Sequence, residues 1–204
     1  MPNNHGTVSL GMDFFKSLNS NDKGYFGEKI VGFYLRDRLS SSPEKFFPVF
    51  NDIDSSDIYL PTPQRYYHSF LEHGNDLIEL EAREDWNINQ YLIDEDGNRE
   101  FIGMLEDWPD EHKPWAPDIT LRITNAYGDD DIERKVLCEV KTGPYAEFQG
   151  NQRDVMEILN RGSDRLLLKA KVIFDTDKDE ITIHFQKLES TDLEDEVQWT
   201  AWGI

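Results

Sequence analysis

A chain of 204 residues with 38% hydrophobic and 12% aromatic side chains carries enough apolar material to bury a core, which excludes a disordered polypeptide. Its single cysteine, Cys138, excludes an internal disulfide, and no Cys/His group has the spacing of a zinc site. A net charge of −20 excludes a uniformly basic nucleic-acid-binding surface, yet the charge is uneven: residues 40–131 hold 22 acidic against 6 basic side chains, and residues 132–171 hold 8 basic against 6 acidic. Such acidity also occurs in proteins adapted to high salt, although lysine is not depleted here relative to arginine.

The start, MPNNHGTVSLGMDFF, lacks the basic and apolar stretches of a signal peptide, and no run of about 18 apolar residues follows, so a single cytoplasmic domain over residues 1–204 with no membrane contact is expected. NSNDKGYFGEKIVGFYLRDRLSSS predicts a helix capped by Asn21 or Asp22, with Phe26, Ile30, Phe33 and Tyr34 at helical spacing and an end at Ser40–Pro43. Residues 44–75 are aromatic and proline-punctuated without a clear period, and read as loop and short helix. Strand-like pieces follow in Leu77–Arg83 and around DEDGN, where Asp96-Gly97 signals a hairpin.

In DITLRIT, Ile119, Leu121 and Ile123 alternate with polar residues, and the acidic turn NAYGDDD returns the chain to RKVLCEVK as a second hairpin. FQGNQRDVMEILNRG predicts a helix with an apolar stripe of Val155, Met156, Ile158 and Leu159 and a stop at Gly162. RLLLKAKVIF and ITIHFQKL flank DTDKDE as a further strand pair, and the end is acidic and then aromatic, with Trp199 and Trp202. The order predicts an α/β or α+β core with one sheet and surrounding helices.

The stretch LCEVKTG carries the chemistry. On a strand, Glu139 and Lys141 project to one face and Cys138 and Val140 to the other. Pairing with DITLRIT brings Asp118 beside Glu139, and two carboxylates so placed repel unless they share a proton or a divalent cation. With Mg²⁺ there, a water can be activated for attack at phosphorus, and Lys141 can stabilise the charge that develops or orient the water. The bland alternative is a strand face with alternating surface charge. A second Pro-Asp, Pro109-Asp110, is set aside because Glu111-His112-Lys113 after it shows no apolar alternation.

Pro117-Asp118 followed by Glu139-Val140-Lys141 resembles the PD-(D/E)xK nuclease superfamily, whose members carry these residues on paired strands. Glu28 stands where Holliday-junction resolvases and related members have a helical glutamate, and Gln152 where many have a glutamine; TG followed by NQR is similar to small archaeal and viral members. The resemblance covers Lys23–Leu39 and Pro117–Phe174 and leaves residues 40–112 as an inserted segment. It implies a restriction-endonuclease-like core with a mixed central sheet flanked by helices and an inserted irregular or β segment. The implied activity is a deoxyribonuclease that uses Mg²⁺ or Mn²⁺, endo- or exonucleolytic. Asp118, Glu139, Glu28 and the Val140 carbonyl would hold the metal, while Lys141 and Gln152 complete the catalytic set.

DNA is the expected partner, approaching over residues 132–171, with a homodimer among the open assemblies. Arg153, Arg161, Arg165, Lys169 and Lys171 could line a phosphate track, against the reading that they are a solvated face. Tyr145 and Phe148 could stack on bases or be buried. Cys138 reads as a core residue, and the scattered histidines show no metal or triad spacing. Two rival functions stand beside the nuclease: a catalytically silent nuclease-fold subunit for binding or assembly, and an acidic protein that mimics DNA.

Overall fold

The computed structural model describes residues 12–41, 58–59, 65–83, 87–110, 114–125, 133–142, 150–160, 165–175, 177–178 and 180–188. Two helices open it, α1 (Met12–Ser17) and α2 (Ser20–Ser41). Asn19, and not Asn21 or Asp22, caps α2: its side-chain oxygen accepts from the Asp22 amide at 3.0 Å, and its own amide group donates to the Asp22 carboxylate at 2.7 Å. Asp22 is already the third helical residue, the position from which a side chain reaches back to the cap.

The buried face of α2 also differs from the expected one. Gly27, Val31 and Leu35 are its buried positions, whereas Phe33 is 77% exposed. The cause is steric. A Cβ on Gly27 would lie 2.5 Å from the Thr142 side chain, so the missing side chain lets the helix approach the sheet at that point, and the seated face passes through it.

The first sheet has the order β1-β6-β7-β8-β9, made of β1 (Ile58–Tyr59), β6 (Ile119–Asn125), β7 (Glu133–Thr142), β8 (Arg165–Asp175) and β9 (Glu180–Lys187). It is mixed, because β7 and β8 run parallel while the other pairs are antiparallel. A parallel pair needs a crossover, and α3 (Gly150–Leu159) supplies it. The second sheet is an antiparallel meander of β2 (Tyr66–His73), β3 (Asp76–Arg83), β4 (Ile88–Ile93) and β5 (Arg99–Leu105).

The β4–β5 hairpin closes at the expected DEDGN turn: the Asp94 carboxylate accepts the Asp96 and Asn98 amides at 3.0 and 2.8 Å, and Gly97 takes φ 81°. Residues 66–73, expected as loop or short helix, form β2 instead. YYHSFLEH lacks strict alternation because its pairing with β3 buries the adjacent residues His68 and Ser69 together. Mutual backbone hydrogen bonds between His68 and Trp115 tie β2 to the approach of β6.

Alternation on β7 and β8 sorts two cores. Val136, Cys138 and Val140, with Leu166, Leu168, Ala170 and Val172, receive Val31 and Leu35 of α2. On the opposite face, Leu137 and Leu167 pack against Val155, Met156 and Leu159 of α3 and against Trp115. Along that second face β7 reads Lys135, Leu137, Glu139, Lys141, so its apolar centre is bounded by a charged group at each end. The architecture is α/β, with two sheets and a few helices. No helix of the described residues is long and apolar enough to cross a membrane.

Candidate active site

The β6–β7 ladder pairs Ile119 with Cys138, and its continuation by one residue sets Asp118 opposite Glu139. The Val140 amide donates to Asp118 Oδ2 at 2.7 Å and fixes that carboxylate at the strand junction. Glu139 lies on the α3 side, where its Oε1 accepts from Lys141 Nζ at 2.7 Å and from Gln152 Nε2 at 2.9 Å. Lys141 Nζ also stands 3.4 Å from Gln152 Oε1, so one glutamine at the start of α3 holds both the carboxylate and the ammonium. Glu139 Oε2 is buried and takes no hydrogen bond among the described residues.

The electrostatics are those of crowded acids. Burial, followed by the nearby Asp118 charge, raises the Glu139 pKa above the usual carboxylate value, and Lys141 only partly opposes this. Asp118 keeps contact with solvent, yet the protein around its carboxyl raises its pKa despite the Val140 hydrogen bond, Lys141 and Arg65. Glu28, half-buried on α2, is raised by burial and then by Asp118, against Lys29 and Arg65. It shares with Asp118 a cleft of about 590 Å³ that Lys29, Arg36 and Arg65 also line. Desolvated oxygens of like charge, one of them without a donor, fit a hard divalent cation.

The expected phosphate track is corrected by burial. Arg165 is not available to a phosphate: its guanidinium is 3% exposed and donates to Glu79 Oε2 at 2.7 Å. Lys169 is buried beside Glu139 in the β7–β8 register, and Lys171 is half-buried beside Lys141. Both sit within the sheet because an alternating strand under α3 turns these positions inward. Arg153 is exposed on α3 next to Gln152. Arg161, Tyr145, Phe148, His112, Trp199 and Trp202 lie outside the described residues. Cys138 is buried in the α2-side core, where burial pushes its thiol pKa well up.

At the other end of the same face, His68, Glu79 and Glu81 bring ligand-type atoms within 4.8 Å of one another. Basic side chains already occupy that geometry. Lys135 Nζ donates to both Glu81 oxygens at 2.9 and 2.8 Å, Arg165 to Glu79, and Arg99 lies 3.1 and 3.3 Å from Glu79 and Glu81. Burial alone would raise both acids, but Arg165 holds Glu79, and Lys135 holds Glu81, well below the usual range. The cluster is a buried ion network that joins the two sheets. It was invisible in sequence because its cations come from distant strands, β5, β7 and β8. The basic cleft residues Lys29 and Arg65 were also missed, although the i, i+4 spacing of Tyr25, Lys29 and Phe33 was readable.

A family model described as a PD-(D/E)XK nuclease superfamily domain matches residues 72–188. No curated protein and no solved structure matches the chain. The match begins at the end of β2 and contains Asp118, Glu139, Lys141 and Gln152, while α2 with Glu28 precedes it. Covering more than half of the sequence, and with Asp118 just before β6 set opposite Glu139 on β7, it shows that the chain belongs to the PD-(D/E)XK nuclease superfamily.

Proposed function

We propose that this chain is a metal-dependent deoxyribonuclease that hydrolyses DNA phosphodiester bonds on a restriction-endonuclease-like core. The observation that carries the reading is Glu139 Oε2, a buried carboxylate oxygen that no donor among the described residues reaches, on a residue opposite Asp118 in the strand register. Asp118, Glu139 and the Val140 carbonyl would hold Mg²⁺ or Mn²⁺, with Glu28 alongside. When bound, the ion supplies charge for the phosphate oxygens and lowers the pKa of a water.

The chain's own residues do the rest. Lys141 places a fixed positive charge beside the reacting phosphate, where negative charge grows in the transition state. Its aim is set by Glu139 Oε1 and Gln152 Oε1, so the ammonium does not have to reorient as the reaction proceeds. The Asp118 contact to the Val140 amide keeps the second carboxylate in register with the first.

The test is cleavage of branched, duplex and single-stranded DNA with Mg²⁺ or Mn²⁺, run beside Lys141→Ala. We expect the variant to lose roughly a hundredfold or more in rate while it stays folded. Equal rates for the two would remove Lys141 from the mechanism. A parent that cleaves nothing, and binds no divalent ion by calorimetry, would point to the silent nuclease-fold subunit.

A further inference from the structure

The outer face of α2 is not the polar surface that a solvated helix normally presents. Tyr25, Lys29, Phe33 and Arg36 follow one another at helical spacing and form one stripe, with Tyr25 59% and Phe33 77% exposed. Lys29 Nζ stands 5.0 Å from the Tyr25 ring centre. Lys29 and Phe33 belong to two adjoining clefts: the one that contains Glu28 and Asp118, and a second of about 380 Å³ with Ile30, Tyr34 and Ile183. Arg65 lines the first cleft, and its charge acts on both Glu28 and Asp118.

We infer that this stripe binds an unpaired polynucleotide strand and feeds it to the carboxylates, so that the substrate is single-stranded DNA or an unpaired segment of a branched one. The inference rests on the nuclease reading of Asp118, Glu139 and Lys141. A duplex keeps its base faces stacked inside and offers a protein mainly phosphates, which call for cations alone. An unpaired strand offers base faces and phosphates in alternation, and rings interleaved with cations match it. The apolar second cleft gives a base displaced past Phe33 a surface to cover. Cations beside the acids are also what a polyanion needs to approach a site that is itself negative.

The experiment uses the full chain carrying Lys141→Ala, so that cutting is slowed roughly a hundredfold or more, with labelled oligothymidylate and a duplex of the same length in fluorescence anisotropy. Oligothymidylate should bind more tightly than duplex. Adding Phe33→Ala should weaken oligothymidylate binding roughly tenfold and leave duplex binding as it was. Adding Lys29→Glu with Arg65→Glu should reduce the salt slope by about 1.4, at about 0.7 per contact on a single strand. Phe101→Ala, an aromatic 55% exposed on β5, serves as the control and should change nothing.

Duplex bound more tightly, or Phe33→Ala binding like its parent, overturns the inference. So does a change of mass on Phe33→Ala in light scattering, which would make the ring a self-association contact. Cleavage by the chain with Lys141 intact separates the two levels. A nuclease that cuts equally well with Phe33→Ala loses this inference alone, whereas a chain that neither cuts nor binds any DNA loses the nuclease reading as well.

Discussion

Glu139 shows how a single carboxylate can be made to want a cation. One oxygen is committed to Lys141 and Gln152, and the other is buried with no donor among the described residues, under the influence of the Asp118 charge. Without metal, its ionised form is therefore a cost to the fold. Glu139→Gln keeps the shape and removes the charge, and should raise the melting temperature of the metal-free protein by about 2–4 °C per kcal/mol relieved; a lower value in calorimetry would mean that the Lys141 contact outweighs the crowding. The placement of Glu139 and Lys141 on one face was legible from strand alternation, and Asp118 from hairpin pairing. Glu28 and Gln152 were legible only through family resemblance, because helix and strand meet through packing that no local pattern encodes. Arg165 and Lys169 were misread for the same reason: a basic residue on a strand looks alike in sequence whether it faces water or a buried glutamate.

At the scale of elements, α2 sits where it does because of one missing side chain. Gly27→Ala gains helix propensity, about 1 kcal/mol, but drives a methyl into Thr142 Cγ2, and overpacking of this kind costs about 1–3 kcal/mol. Gly27→Ala should thus be neutral or destabilising, and adding Thr142→Ser, which removes the obstructing methyl, should bring stability to or above that of the parent in chemical denaturation. If the pair melts no better than Gly27→Ala alone, the close approach is not what seats the helix. The sequence pattern for α2 pointed to Phe26, Ile30, Phe33 and Tyr34, because bulk outweighs absence in any hydrophobicity count. β2 escaped for a different reason: its neighbours His68 and Ser69 are buried together, which breaks the alternation that marks a strand with one face in water.

For the molecule as a whole, the net charge of −20 does not say which of its acids a ligand meets. Glu79 and Glu81 belong to the acid-rich segment but are buried against Arg99, Lys135 and Arg165, and so hold the meander to the mixed sheet. Their pKa values are lowered on folding, so they contribute stability above the ordinary carboxylate value of 4.5 and lose it as the pH falls through the lowered folded values. Glu81→Gln removes the buried charge that pairs with both Lys135 and Arg99 and should destabilise the protein by about 3–5 kcal/mol at neutral pH. The gap to the parent should narrow in acid, as the parent's own carboxylate becomes protonated. Urea titrations at neutral and acidic pH test this, and a gap independent of pH would show that packing and not charge holds the sheets together. Residue counts made the charge asymmetry legible, but they could not separate acids that face water from acids already spoken for.

The seat of α2 also sets an order of events as the chain folds. Asp118 and Glu139 meet across a hairpin of neighbouring strands, which a short length of chain can close by itself. Val31 and Leu35 instead rest on a surface that includes Leu168, Ala170 and Val172, more than 130 residues further on. During synthesis or refolding that core is complete only once β8 has joined, whereas the close approach of Gly27 to Thr142 needs β7 alone. A chain interrupted before β8 can therefore pair its two acids and bring α2 up to β7, yet it leaves Val31 and Leu35 seated on an unfinished core.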